Sequence, residues 1–241
     1  YFCDGGTGLP TPRGNISNNM IHVGGGGAAY GITLYYSTYQ DIYFNSVNIT
    51  TPNTTSGIAL NVTGTTTSVN VVNNVFANPG GGYAVYVDAA GAAGLTTCDY
   101  NDLYTPGNYI GFWGATYYAM LSDLQAASGK DANSASVYPS FTSATDLHSV
   151  SPWLDGKGTT VSPAIGTDFD GNARSAPHDI GADAFTAAPS TTTPLAGAYT
   201  IGSGGTYATF AAAVNDLLLK GVSAAVTFEV LAGTYNTHFY I

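Results

Sequence analysis

Charge is scarce in this chain, and positive charge most of all. Only 8% of the 241 residues are Asp, Glu, Lys or Arg, and the net charge is −10. The basic residues are Arg13, Lys130, Lys157, Arg174 and Lys220. They form no cluster, so nucleic acid is excluded as a partner, because phosphate binding rests on grouped cations. Acidic polysaccharides are disfavoured for the same reason. Cysteine is nearly absent as well. Cys3 and Cys98 would stand roughly 15 Å apart along a solenoid axis at one strand spacing per coil, too far for a disulfide, whose Cα atoms must come within about 7 Å. No run of about 20 apolar residues occurs, hence no membrane-spanning helix. GxSxG, HExxH and Cys/His metal spacings are missing too, and the His residues are scattered. The chain opens on YFCDGG without an initiator Met, and further sequence is expected upstream.

What is present is glycine (31), tyrosine (18) and much Asn, Ser and Thr. That is the balance of a β-rich extracellular solenoid, whose surface is made polar without charge. The repeat itself is visible between Asn15 and Trp113. An asparagine opens a short apolar run at Asn19, Asn45, Asn74 and Asn101, in steps of 26, 29 and 27 residues, close to one turn of a parallel β-helix. Gly31, Gly57, Ala84 and Gly111 recur in steps of 26, 27 and 27.

Alternation along a strand then assigns faces. Ile16, Ile42, Val71 and Cys98 form one expected interior row, and Ile21, Val47, Phe76 and Leu103 another. After the small residues, Ile32, Ile58, Val85 and Phe112 are expected inside, as are Leu34, Leu60, Val87 and Gly114. Thr33, Ala59, Tyr86 and Trp113 are expected outside. The asparagines are expected at tight left-handed bends, stacked at ~4.8 Å into a ladder of side-chain amides.

Past Trp113 the period changes. Thr116 is expected to cap a helix bearing Met120, Leu121, Leu124 and Ala127, ending at Ser128-Gly129 and lying across the solenoid flank. Beyond it, DANSASVYPSF, DLHSVSPWL and SPAIGTDFDGNARSAPHDIGADAF read as short terminal strands with long turns. The order of Asn-bearing coils, then YYAMLSDLQAASGKDANS, then DFDGNARSAPHDIGADAF resembles the end of right-handed parallel β-helix units, of pectate-lyase-like shape, in large secreted bacterial surface proteins. The closing motif of that family carries an acidic residue just before the final Phe; here the position is Ala184. The stretch from Ala198 through Asn236 resembles the opening of another such unit, with Thr209 or a neighbour capping a helix, Phe210, Val214, Leu217 and Leu218 on its apolar face, and Gly221 ending it.

The expected fold is therefore all-β, a right-handed parallel β-helix with short flanking and capping helices. Residues 1–115 hold coils, 116–188 the flank helix and terminal coils, 189–196 a Pro/Thr linker, and 197–241 the first coil of a following unit. Chemistry is hard to place. The carboxylates on the coils are Asp41, Asp88, Asp99 and Asp102, and no basic residue falls on a repeated row. Tyr35, Tyr86 and Trp113 could stack on sugar rings or lie under the flank helix. Asp168, Asp170 and Asn172 alternate as oxygen ligands in a Ca²⁺ loop do, though an Asx-rich turn without an ion is the favoured reading. No other cofactor is expected. The expected function is a non-enzymatic extracellular structural protein that assembles head-to-tail with copies of itself into a surface fibre or long adhesin. The alternative is a β-helix that binds or cleaves carbohydrate.

Overall fold

The structure is a computed structural model that describes residues 2–4, 9–187 and 193–235. It is mostly β, a parallel β-solenoid with three short helices among the described residues. After β1 (Phe2–Asp4), each coil contributes three strands in turn. The first coil holds β2 (Gly14–Ser17), β3 (Met20–Val23) and β4 (Ala29–Tyr35). The second holds β5 (Gln40–Tyr43), β6 (Ser46–Ile49) and β7 (Gly57–Thr63). The third holds β8 (Val69–Val72), β9 (Val75–Ala77) and β10 (Tyr83–Asp88). A short helix α1 (Ala89–Gly94) leads to β11 (Leu95–Asp99), β12 (Asp102–Tyr104) and β13 (Gly111–Gly114). Equivalent strands stack into three sheets: β1-β4-β7-β10-β13, β2-β5-β8-β11 and β3-β6-β9-β12. All of these pairings are parallel.

Rows of aliphatic side chains fill the space between the sheets. Ile16 pairs with Ile42, Ile42 with Val71 and Val71 with Cys98; Ile21, Val47, Phe76 and Leu103 make the second row. Both rows follow the sequence reading. The large sheet follows it in part: Ile32, Leu34, Leu60, Val85 and Val87 face inward as expected, but in another register. Its interior rows are Ile32, Leu60, Val85, Gly111 and Leu34, Val62, Val87, Trp113, while Thr33, Asn61, Tyr86 and Phe112 line up between them. Trp113 is 8% exposed and packs with the core, so its expected place on the outward row is corrected: Phe112 stands there instead. The reason is loop length. Residues 24–28, 50–56, 78–82 and 105–110 separate the second and third strands of successive coils, and a fixed step carried across loops of unequal length slips the register and exchanges the faces.

The last coil is closed. β14 (Thr116–Tyr118) turns back antiparallel onto β13, and α2 (Leu121–Ser128) buries Leu124 fully against the core cluster that contains Trp113. Thr116 lies in β14, and Met120 occupies the N-cap with no side-chain hydrogen bond, so the expected Thr116 cap is not made. Gly129, at φ 66°, ends the helix in the left-handed conformation that favours glycine.

Residues 131–137 lay one further turn on the coils: Asp102 bridges Ala135 in parallel, and the N–H groups of Asp131 and Ala135 donate to the carbonyls of Cys98 and Asn101. From there to residue 186 isolated bridges replace strands, and the segment folds back as a strap along the outside. Leu154 and Ile180 pack on Val75 and Ala77, with Val137, Phe141 and Phe185 beside them. Val161 and Ile165 pack against Tyr43, Phe44 and Val72. Prolines 139, 152, 163 and 177 interrupt any ladder this segment could form.

Residues 187–241 form a separate unit. Within it β15 (Leu195–Ile201) pairs parallel with β16 (Val222–Val230) through α3 (Phe210–Lys220). Thr209 caps that helix by accepting the N–H of Ala212, and Gly221 follows its last turn. Ala198 lies opposite Thr227, a step of 29 residues, the same as from Asn45 to Asn74. The Leu218 side chain, residues 189–192 of the expected linker and residues 236–241 lie outside what is described.

Candidate functional site

The asparagines form a continuous chain of amides through the solenoid. Each side-chain N–H donates to the next oxygen: Asn19 to Asn45 at 2.8 Å, Asn45 to Asn74 at 2.9 Å and Asn74 to Asn101 at 3.0 Å. The same oxygens accept the backbone N–H of the preceding asparagine. The remaining donors reach carbonyls of Ile16, Ile42 and Val71. The left-handed bend sits one residue earlier than expected, at Asn18, Phe44, Asn73 and Tyr100, with φ of 55°, 53°, 61° and 55°. Each asparagine thus stands just past the bend and satisfies the groups that the bend unpairs. The ladder ends on Asp131, whose carboxylate accepts from Asn101, Ser134 and the Cys98 thiol. Burial raises the Asp131 carboxyl, and the three donors oppose that rise. Burial likewise pushes the Cys98 thiol up.

A second arrangement lies on the outward face of the large sheet. Tyr86 stacks on Phe112 with ring centroids 4.5 Å apart and planes 13° apart. Phe112 meets Tyr117 edge-on at 4.8 Å, Tyr117 packs on Tyr83 at 5.5 Å, and Tyr109 closes the group at 5.3 Å from Tyr117. Tyr109 and Tyr117 are 43% and 45% exposed. Burial and its phenol neighbours, Tyr117 foremost, raise Tyr83 to about 12. Tyr35 is exposed beside Tyr36, with centroids 4.4 Å apart, and outside this group. Of the aromatic residues singled out from sequence, only Tyr86 belongs to the platform. Tyr83, Tyr109, Phe112 and Tyr117 were missed, although the density of aromatics from Tyr109 through Tyr118 was the available signal.

The loop at Asp168 is built as a turn. Its carboxylate accepts the N–H of Asp170 at 3.0 Å and of Asn172 at 2.8 Å, the Asn172 amide at 3.3 Å and the N–H of Ala184 at 3.2 Å. Burial tends to raise this carboxyl, but those donors hold it below its ordinary value. Asn172 therefore presents a donor to Asp168, and Asp170 turns away toward His148. The three do not converge as oxygen ligands for Ca²⁺. Asp99 and Asp102 also part company. Asp99 accepts from Asn133 and Tyr100 at the surface, whereas Asp102 is fully buried, accepts the N–H of Val137, and has one oxygen with no partner. They are not an acid/base pair across a substrate cleft.

No family model, no curated protein and no solved structure matches the chain. The class it belongs to is thus defined by its own geometry, a parallel β-solenoid. No helix among the described residues is long and apolar enough to cross a membrane.

Proposed function

We propose that this chain is a non-catalytic structural module that joins end to end with copies of itself, building an extracellular fibre or long surface adhesin. The observation that supports the reading is a pair of strand edges with no described neighbour. Among the described residues, β2 and β3 are the outermost strands of their sheets. Ile21 and Val23 there are only partly buried, whereas Val47 and Ile49 in the next coil are fully covered. That edge accepts a preceding coil. In the second unit β16 follows β15 by one coil step, has no further described strand beyond it, and leaves Val222 and Val230 58% and 51% exposed. That edge accepts a following coil. Backbone groups on such edges pair readily with another chain, and a contact joining two different surfaces does not close on itself, so it propagates. At the other end of the first unit, β14 covers the edge of the large sheet. The low charge, and the resemblance to units of secreted bacterial surface proteins, support an extracellular setting.

Electron microscopy of the purified chain across a concentration series tests this. Filaments that disappear when residues 187–241 are deleted are expected. Discrete monomers at every concentration would overturn the reading.

The aromatic platform supports a second reading, binding of neutral carbohydrate. Rigid, uncharged rings on a flat sheet suit the apolar faces of sugars. A screen against neutral glycans, with Tyr117→Ala as the comparison, separates the two: loss of binding in a monomer that still folds favours the lectin reading.

A further inference from the structure

The strap brings a histidine and several carboxylates to one point. His148, Asp170 and Asp183 place a ring nitrogen and two carboxylate oxygens within 4.8 Å of one another. Nε2 of His148 is 2.8 Å from Asp170 Oδ2, and Nδ1, on the other side of the ring, is 2.5 Å from Asp146 Oδ1. Phe169 packs edge-on against the imidazole at 6.0 Å. Asp183 is 8% exposed. Its backbone carbonyl accepts from Arg174.

Arg174 directs its donors elsewhere. Its N–H groups go to the carbonyls of Thr167, Gly181, Ala182 and Asp183 and to the Asn18 side chain. Four carboxylates, Asp146, Asp168, Asp170 and Asp183, face two cations there, His148 and Arg174. The cluster therefore carries surplus negative charge.

We propose that His148, Asp170 and Asp183 bind a divalent transition-metal ion of the zinc type, with Asp146 orienting the imidazole from behind. A carboxylate on the far ring nitrogen fixes the tautomer that presents the other nitrogen to a metal. One imidazole and two carboxylates make three protein ligands, and the exposed side leaves room for water in the remaining position. The nitrogen ligand disfavours Ca²⁺ and Mg²⁺, which prefer oxygen. When the ion enters, the proton shared between Nε2 and Asp170 leaves to solvent. The ion then ties together three turns that are far apart in sequence, which makes it a clasp on the strap. This reading does not depend on end-to-end assembly.

Zn²⁺ titrated calorimetrically into the full, metal-stripped chain tests it, with Ca²⁺ as the parallel probe. One Zn²⁺ per chain is expected, with a rise in melting temperature. His148→Gln and Asp170→Asn are each expected to weaken binding by at least about tenfold and to abolish the rise. Asp170 and His148 lie at the surface, so both variants fold even if Asp183→Asn does not. Three results would overturn the site: no Zn²⁺ binding, equal Zn²⁺ binding by both variants, or Ca²⁺ binding in preference to Zn²⁺.

Discussion

The coils and the strap that lies on them use opposite means of holding a backbone in place. In the coils every strand has a neighbour of the same kind, and the bends are served by one residue type repeated four times. In the strap almost nothing repeats. Its backbone is held by individual side chains: Asn48 donates to Ala144, Asn73 to Thr159, Asn18 to Thr167, and Ser46 accepts from Ala182. Repetition spreads the load over coils, whereas the strap concentrates it on single residues. Stability should therefore respond to substitution differently in the two regions.

The largest effect is expected inside the ladder. Asn74→Ala removes the acceptor for Asn45 and the donor for Ile42 and Val72, all in a fully buried setting. Each unsatisfied group costs ~1–3 kcal/mol, so a total loss of about 4 kcal/mol is expected in denaturant melts. Asn19→Ala, at the half-exposed end, should cost about 1 kcal/mol or less. Equal losses at the two positions would mean that the ladder is not cooperative and that its middle is no different from its end.

Next comes the strap's main anchor. Arg174 is 9% exposed, reaches four carbonyls and Asn18, and its guanidinium lies 4.2 Å from the centroid of the Phe44 ring. Arg174→Met should cost about 2–3 kcal/mol and raise hydrogen exchange at residues 155–186 while β5 to β9 stay protected. If protection falls throughout, strap and coils unfold as one unit, and the contrast between them fails.

Asp102 lies where the two regions meet, between β12 and Val137. Burial raises its carboxyl well above the ordinary value, against the single N–H that stabilises the charge. The folded state therefore favours the protonated form. Stability is greatest below the unfolded pKa near 4 and falls as pH rises toward the raised folded value. Asp102→Asn should remove that fall and leave the protein no less stable at neutral pH. A wild-type chain whose stability climbs from pH 4 to 7, with the variant unchanged, would refute the assignment.

How much of this was legible in sequence follows from the same contrast. The rows through Ile16 and Ile21 could be read because the first two strands of each coil are joined by a bend of constant length around the asparagine. The large sheet could not be registered, because loops of unequal length precede it, and Trp113 was accordingly placed on the wrong face. The bend residues were hidden for another reason: Phe44 and Tyr100 are bulky side chains at positive φ, which no propensity favours. Phe44 is held there by burial against Val72, Val161 and Ile165 and by Arg174 above its ring. The strap left no period to find, and its metal-binding cluster joins residues 148, 170 and 183, which no local motif links.

The smallest effect on stability is expected where the strap is absent. Both satellite apolar clusters cover the two smaller sheets, and neither includes a residue of the large one. The aromatic rings on that bare face are held by one another. Tyr117 is 45% exposed, so Tyr117→Ala gives up ring contacts worth about 1 kcal/mol and little more. A face that served only to complete the fold would lose nothing else. If neutral glycans bind there, the same variant should lose binding at least tenfold, since one ring stacked on a sugar carries on the order of 1.4 kcal/mol. A stable variant with unchanged retention on every glycan column would leave the platform as packing alone and place the function in the free edges.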